Sequence, residues 1–272
     1  MTTQAPTMGE RFAAQAVIEE LLRQHAGMPR RNTFARLFGY SPLGADSVSW
    51  YLGAKGEIEV GRILATLPPE WTVFHALPID KKGTDIDHLV IGPGGVVTIN
   101  TKNHTGKRIW VAERTMMVSG HKQRYIRNAE FEANQVTTLL RERMPQLPAV
   151  QPSIALVSPK SLTVKKRPAR VKVIAATGLR RWLLKLPVTL SAADMLELAA
   201  IIDAPGTWPP QAFAPTENVR GRFAALDVEV RAARVRSTLW KVTSFVAVFG
   251  GFLLVGPQLV TAIIGVLFSG AP

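Results

Sequence analysis

Between Thr84 and His104 two apolar arms rich in Val, Ile and Thr flank the break Gly92-Pro93-Gly94-Gly95. Proline fixes φ and the glycines permit a tight reversal, so the pattern predicts a β-hairpin. With Gly92 to Gly95 as the loop, Ile91 faces Val96, Leu89 faces Thr98, Asp87 faces Asn100 and Asp85 faces Lys102. Side chains alternate between the faces of a strand, so Asp85, Asp87, Asn100 and Lys102 share one face at the open end. A slip of one residue would scatter them.

Around this hairpin the periodicity predicts an amphipathic helix from about Gly9 to His25. A second is predicted from Ser47 to Leu67, with Trp50, Ala54, Ile58, Ile63 and Leu64 on one buried face. Trp71 to Leu77 reads as a strand, as do Arg108 to Val111, Thr115 to Val118, Ser153 to Val157 and Val171 to Ala175. Arg127 to Arg143 predicts a helix with Phe131, Val136, Leu139 and Leu140 as its stripe, and Ser191 to Ile202 one N-capped by Ser191. His75, His88 and His104 match no zinc spacing. In the hairpin register His88 faces away from Asp87, so a structural or sheet-edge residue is expected there.

Composition narrows the partners. Thirty-three Lys and Arg against twenty Asp and Glu leave a formal charge of +13, which favours nucleic acid or an anionic membrane surface. Nine basic residues and no acidic one lie between Lys160 and Lys185; Lys160, Lys165, Lys166, Arg167 and Arg170 are the expected phosphate contacts. Trp182 is the one aromatic there, so base stacking is not indicated, and anionic lipid head groups would suit the segment equally. The chain has no cysteine, which excludes disulfides and thiolate metal sites.

Carboxylates, an amide and an ammonium converging on one sheet face can be a surface ion pair, or the equipment for holding a hard divalent cation beside a phosphodiester. Gly56-Glu57, Ile86-Asp87-His88, Gly92 to Val96 and Ile99 to Asn103 together resemble the NERD (nuclease-related) domain, a branch of the PD-(D/E)xK nuclease superfamily, over about Trp50 to Trp208. The resemblance implies an α/β fold, a restriction-endonuclease-like mixed central sheet flanked by helices. It implies Mg²⁺ or Mn²⁺ held by Asp87, Glu57 and Asn100, with Lys102, Asp87, Glu57 and Gln135 as catalytic residues. Nucleic acid, DNA ahead of RNA, is the implied substrate. Asn100 departs from the superfamily pattern, which has Asp or Glu there, and so leaves open a non-catalytic module that binds nucleic acid or a partner through a degenerate site.

Beyond Trp208 the composition changes. The expected organisation is an N-terminal helical extension (1–46), the nuclease-like domain (47–208), a linker with a basic juxtamembrane helix (209–240) and a C-terminal transmembrane segment (241–268). No charged residue occurs in 242–268, longer than the roughly 20 residues a helix needs to cross a bilayer. A hairpin bent at Gly256-Pro257 is the other reading. Arg231, Arg234, Arg236 and Lys241 precede the segment, so the positive-inside rule predicts a single-pass membrane protein with its N-terminal domain cytoplasmic.

Overall fold

A computed structural model describes residues 7–29, 31–80, 84–209 and 218–268, side chains at 251 and 253–268 excepted. The chain divides into two compact units, one of Met1–Gln24 with Asp46–Val219, the other of His25–Ala45 with Arg220–Pro272.

The first unit is mixed α/β. Its main sheet is built from β1 (Thr72–Pro78), β2 (Asp85–Gly92), β3 (Gly95–Asn103), β7 (Gln151–Val157) and β9 (Lys172–Ala175), in the order β1-β2-β3-β7-β9. The first three strands run antiparallel, and β3, β7 and β9 run parallel. A smaller mixed sheet has the order β6-β5-β4-β8, from β4 (Arg108–Ala112), β5 (Thr115–Val118), β6 (His121–Gln123) and β8 (Ser161–Lys166). The helices of this unit are α1 (Gln15–Ala26, whose last residues pass into the second unit), α3 (Ala45–Leu64), α4 (Tyr125–Arg141), α5 (Ala176–Leu183) and α6 (Ala192–Asp203).

The hairpin has the predicted register at Leu89 opposite Thr98 and Ile91 opposite Val96, but its ladder ends at His88 opposite Ile99, so the expected pairs Asp87–Asn100 and Asp85–Lys102 do not form. Its loop is shorter than expected, because Gly92 and Gly95 still pair and only Pro93 and Gly94 lie between them. Both strands are buried along most of their length, so their apolar side chains feed cores on both faces. One core packs Leu89 and Ile91 against Val136 and Leu140 of α4 and Leu198 of α6, and Trp208 closes it with its indole N–H on Ile202 O at 2.7 Å. The other packs Val90 and Val97 against Val60 and Leu64 of α3 and Leu179 and Leu183 of α5.

Several expectations are corrected. The N-terminal helix starts only at Gln15, because Ala14 takes a left-handed φ of 69° and breaks any helix through it. Trp50 is exposed, and α3 instead buries Tyr51, Ala54, Glu57, Val60, Gly61 and Leu64. Phe131 is exposed as well, the buried face of α4 running through Ile126, Ala129, Glu132, Ala133, Val136 and Leu140. Ser191 caps α6 as expected, in a capping box with Asp194. His88 is fully buried, with its Nδ1 at 2.8 Å from His75 Nδ1, and burial lowers His75 to about 4, so both rings are neutral at pH 7.

In the second unit, α7 (Val219–Phe268) runs unbroken where a basic helix and a separate membrane segment were expected. The short α2 (Thr33–Leu37), N-capped by Asn32, lies against it. Trp240 Nε1 donates to Leu37 O at 3.0 Å, and the Phe38 and Trp240 ring centroids are 4.9 Å apart. Arg31 pairs with Glu229 at 2.5 Å. Gly39 has φ +72° and abuts α7, where a Cβ would meet Ser237 N at 2.3 Å. The expected transmembrane segment 241–268 falls on α7. Among the described residues no helix is long and apolar enough to cross a membrane, and the side chains at 253–268 lie outside them, so the fold lends that expectation no support. The expected linker residues 210–217 also lie outside the described residues.

Candidate metal centre

The main sheet forks at the predicted cluster. β2 and β3 pair as far as His88 opposite Ile99, and no further ladder pair follows. Beyond that point β2 stays with β1 through Leu77–Ile86 and Pro78–Asp85, while β3 stays with β7 through Asn100–Ile154 and Lys102–Leu156. Opposite Asp87 the first strand bends, Ala76 having φ 50°. The Asp87 carboxylate sits in the fork, where Oδ2 accepts the Thr101 N–H at 2.5 Å.

Helix α3 brings the third element. Glu57 lies on its buried face, 4% exposed, and Gly56 allows the approach, since a Cβ there would stand 2.9 Å from Asn103 Cβ on β3. Glu57, Asp85 and Asp87 each offer a carboxylate oxygen, and these oxygens lie within 4.8 Å of one another. A buried acidic cluster able to bind a metal is therefore present. Glu57 and Asp87 belong to the ligand set expected from the sequence. Asp85, recognised there only as sharing the face, completes the group.

Asn100 is 6% exposed and points to a residue that sequence reasoning missed. Its Nδ2 donates to both carboxylate oxygens of Glu132 on α4, at 2.7 and 3.0 Å. The carboxylate absent from β3 is thus supplied beside the same spot from a helix. Gln135, expected among the catalytic residues, is exposed one turn further along, and no described bond ties it to the cluster. Glu132 lies four residues before Val136 and eight before Leu140, so the helical stripe could have revealed it.

Burial raises all four carboxyls, and repulsion from neighbouring carboxylates adds to it at Glu57, Asp85 and Glu132. Asp85 is pushed up to about 7 by burial first and then by the charge of Asp87, with Arg11 and Lys102 opposing. Glu132 rises to about 7, again by burial and then Asp87. Glu57 rises well above its ordinary range through burial, Asp87 and Asp85, against a hydrogen bond from the Ala14 backbone. Asp87 rises by burial, with Lys102 and the Thr101 N–H holding it back. Four acids in one place, each resisting ionisation, are poised for a cation.

The polar atoms left over agree. Glu57 Oε2, Asp85 Oδ2 and Asn100 Oδ1 are buried with no hydrogen-bond partner among the described residues. Such orphaned acceptors are costly unless something positive meets them. The donors are all oxygen, which fits a hard divalent ion.

Two cations border the cluster. Lys102 Nζ lies 5.3 Å from the centroid of the Tyr125 ring, on which His104 also stacks at 5.6 Å. Arg11, from the irregular segment before α1, is partly buried, with Nε and Nη2 lacking hydrogen-bond partners, and it interacts with Glu19 and Asp85. No periodicity marks Arg11, because it lies outside any helix or strand.

The five basic residues expected to contact phosphates are all exposed on or beside β8. Lys166 pairs with Glu113, and Arg170 donates to Asn134 at 3.1 Å. Residues 52–157 match the family described as the nuclease-related domain, NERD, which takes in Glu57 through Glu132 but is shorter than the expected Trp50 to Trp208. No curated protein and no solved structure matches the chain.

Proposed function

With residues 52–157 forming a nuclease-related domain, we propose that this protein hydrolyses phosphodiester bonds of nucleic acid, DNA ahead of RNA, with Mg²⁺ or Mn²⁺ held at the β2–β3 fork, and does so while anchored in a membrane. The observation that carries this is the set of converging carboxylate oxygens of Glu57, Asp85 and Asp87, with Glu57 Oε2, Asp85 Oδ2 and the Asn100 Oδ1 of β3 each buried without a donor.

Glu57, Asp85 and Asp87 hold the ion, and the free Oδ1 of Asn100 is a further neutral donor. Glu132 grips the Asn100 amide and so fixes which way that oxygen points. A divalent ion in this position supplies Lewis-acid polarisation of a phosphodiester and a water of lowered pKa. Lys102 offsets charge growing on the phosphoryl oxygens, and Arg11, which interacts with Asp85, adds a second positive charge beside the cluster. Lys160, Lys165 and Arg167 are exposed to guide the polyanion in.

Anchoring is supported by the described start of the uncharged run. Phe245, Val248 and Phe252 are 70%, 74% and 71% exposed, and Val242, Val246 and Phe249 are also exposed, an apolar surface that water does not favour. Arg231, Arg234, Arg236 and Lys241 on the preceding turns favour anionic lipid and a cytoplasmic N-terminal portion. A second reading, a module that binds nucleic acid without cutting it, is favoured by the uncharged Asn100.

The test is the full chain, reconstituted in vesicles, on labelled single- and double-stranded DNA and RNA with Mg²⁺, with Mn²⁺ and with chelator. Cleavage with either ion and none with chelator is expected, and the protein should float with the vesicles after a carbonate wash. Binding without cleavage selects the second reading. A chain that neither binds nor cuts contradicts both, and failure to float contradicts the anchor alone.

A further inference from the structure

The smaller sheet has a face that the metal centre does not use. Ile109, Val111, Met116 and Val118 are buried against Ile126, Ile154 and their neighbours, so the alternate residues of β4 and β5 face outward. The registers set Trp110 between Met117 on β5 and Thr163 on β8, with Lys122 of β6 beyond Met117. Two pairs along, and so on the same face, Arg108 lies beside Ser161. A cavity opens over this face, lined by Arg108, Trp110, Met117, Lys160 and Thr163 among others, and among the described residues no carboxylate lines it. Arg108, Lys122 and Lys160 are exposed, while Trp110 is held partly buried by its neighbours and keeps only part of its surface open.

The sequence hid this arrangement, because Trp110 is far along the chain from the basic run. Parallel pairing of β4 with β8 is what brings Lys160 and Ser161 beside Arg108 and Trp110. A rigid aromatic ring on a sheet, flanked by cations and hydroxyls in a concave setting, is the equipment for stacking a base and gripping its phosphates. A duplex keeps its base faces covered and would offer such a site only phosphates.

We propose that this face is a nucleobase-stacking subsite for single-stranded nucleic acid, one base lying on Trp110 while Arg108 and Lys160 take the flanking phosphates. The proposal rests on the nucleic-acid reading above and narrows it to strands with uncovered bases. It does not need the metal centre to be active.

The test is fluorescence anisotropy of the full chain in detergent with EDTA, using oligo(dT), an abasic oligomer of the same length and a duplex. Trp110→Ala weakens oligo(dT) binding about tenfold, as expected for one lost stacking contact, and Trp110→Phe keeps most of the affinity. The abasic oligomer binds wild type and Trp110→Ala alike, and the salt slope for oligo(dT) is unchanged by Trp110→Ala. Arg108→Ala and Lys160→Ala each reduce that slope by about 1. Equal oligo(dT) affinity in wild type and Trp110→Ala overturns the subsite and leaves the nucleic-acid reading standing. An equal loss for all three probes, which would mark general structural damage or pure phosphate binding, overturns it too. Wild-type protein that binds none of the probes overturns both.

Discussion

Asp87→Asn is expected to lower phosphodiester cleavage by about 10²-fold or more, while the protein stays folded and its Tm holds or rises. The activity side follows from position, since Asp87 contributes one of the three clustered oxygens and sits nearest the fork in the sheet. Losing one preorganised charge at a reacting centre typically costs ~10²–10³ in rate. The stability side follows from electrostatics. Burial raises the Asp87 carboxyl above its ordinary value, so the folded state resists a charge that the unfolded chain would accept. A raised carboxyl favours the fold below its unfolded pKa, and that contribution is lost as pH rises through the folded one. A neutral amide of the same shape escapes the loss, and its Oδ1 can still accept the Thr101 N–H. Thermal melts at pH 7 with chelator and initial rates with Mn²⁺ check the two halves. Retained cleavage would remove Asp87 from the chemistry, and a large drop in Tm would make it a structural residue.

The second large effect concerns Asn100 and Glu132, which the fold makes one unit. Glu132→Gln should lower kcat/KM by about 10–100-fold, since partners behind a metal site commonly count for that much. Asn100→Glu alone, which would seem to restore a missing ligand, is expected to give no gain. It replaces a donor 2.7 and 3.0 Å from the Glu132 oxygens with a second carboxylate facing them. The exchange Asn100→Glu with Glu132→Gln puts the charge on the strand and the amide on the helix, so it should recover most of what Glu132→Gln loses. A double-mutant cycle in kcat/KM reads the coupling. Losses that simply add would show that the two residues act apart.

The hairpin was legible because strand alternation and a Gly-Pro break are local signals, and together they placed Asp85 and Asp87 on one face with Asn100 and Lys102. What escaped the sequence falls into two kinds. Phe131 drew the α4 stripe to the wrong side by its hydrophobicity, although it is 54% exposed, and this concealed Glu132, a charged residue with its carboxylate turned inward. Tertiary packing outweighed the residue's own preference there. Arg11 and Trp110 are of the other kind. The first reaches the cluster from a segment without periodicity, ended by the left-handed Ala14, and the second gains its neighbours by pairing Trp110 with Thr163. No local pattern records a long-range register.

The most direct test of the acidic cluster as a metal centre is a titration of Mn²⁺ into the full chain, followed by electron paramagnetic resonance of the free ion at about pH 6 and about pH 8. Asp85 and Glu132 both sit at about 7, so protons should compete with the ion at the lower pH. The expected result is one saturable site in wild type, tighter at the higher pH and lost in Asp87→Asn. Binding that is absent at both pH values, or that survives Asp87→Asn undiminished, would contradict it.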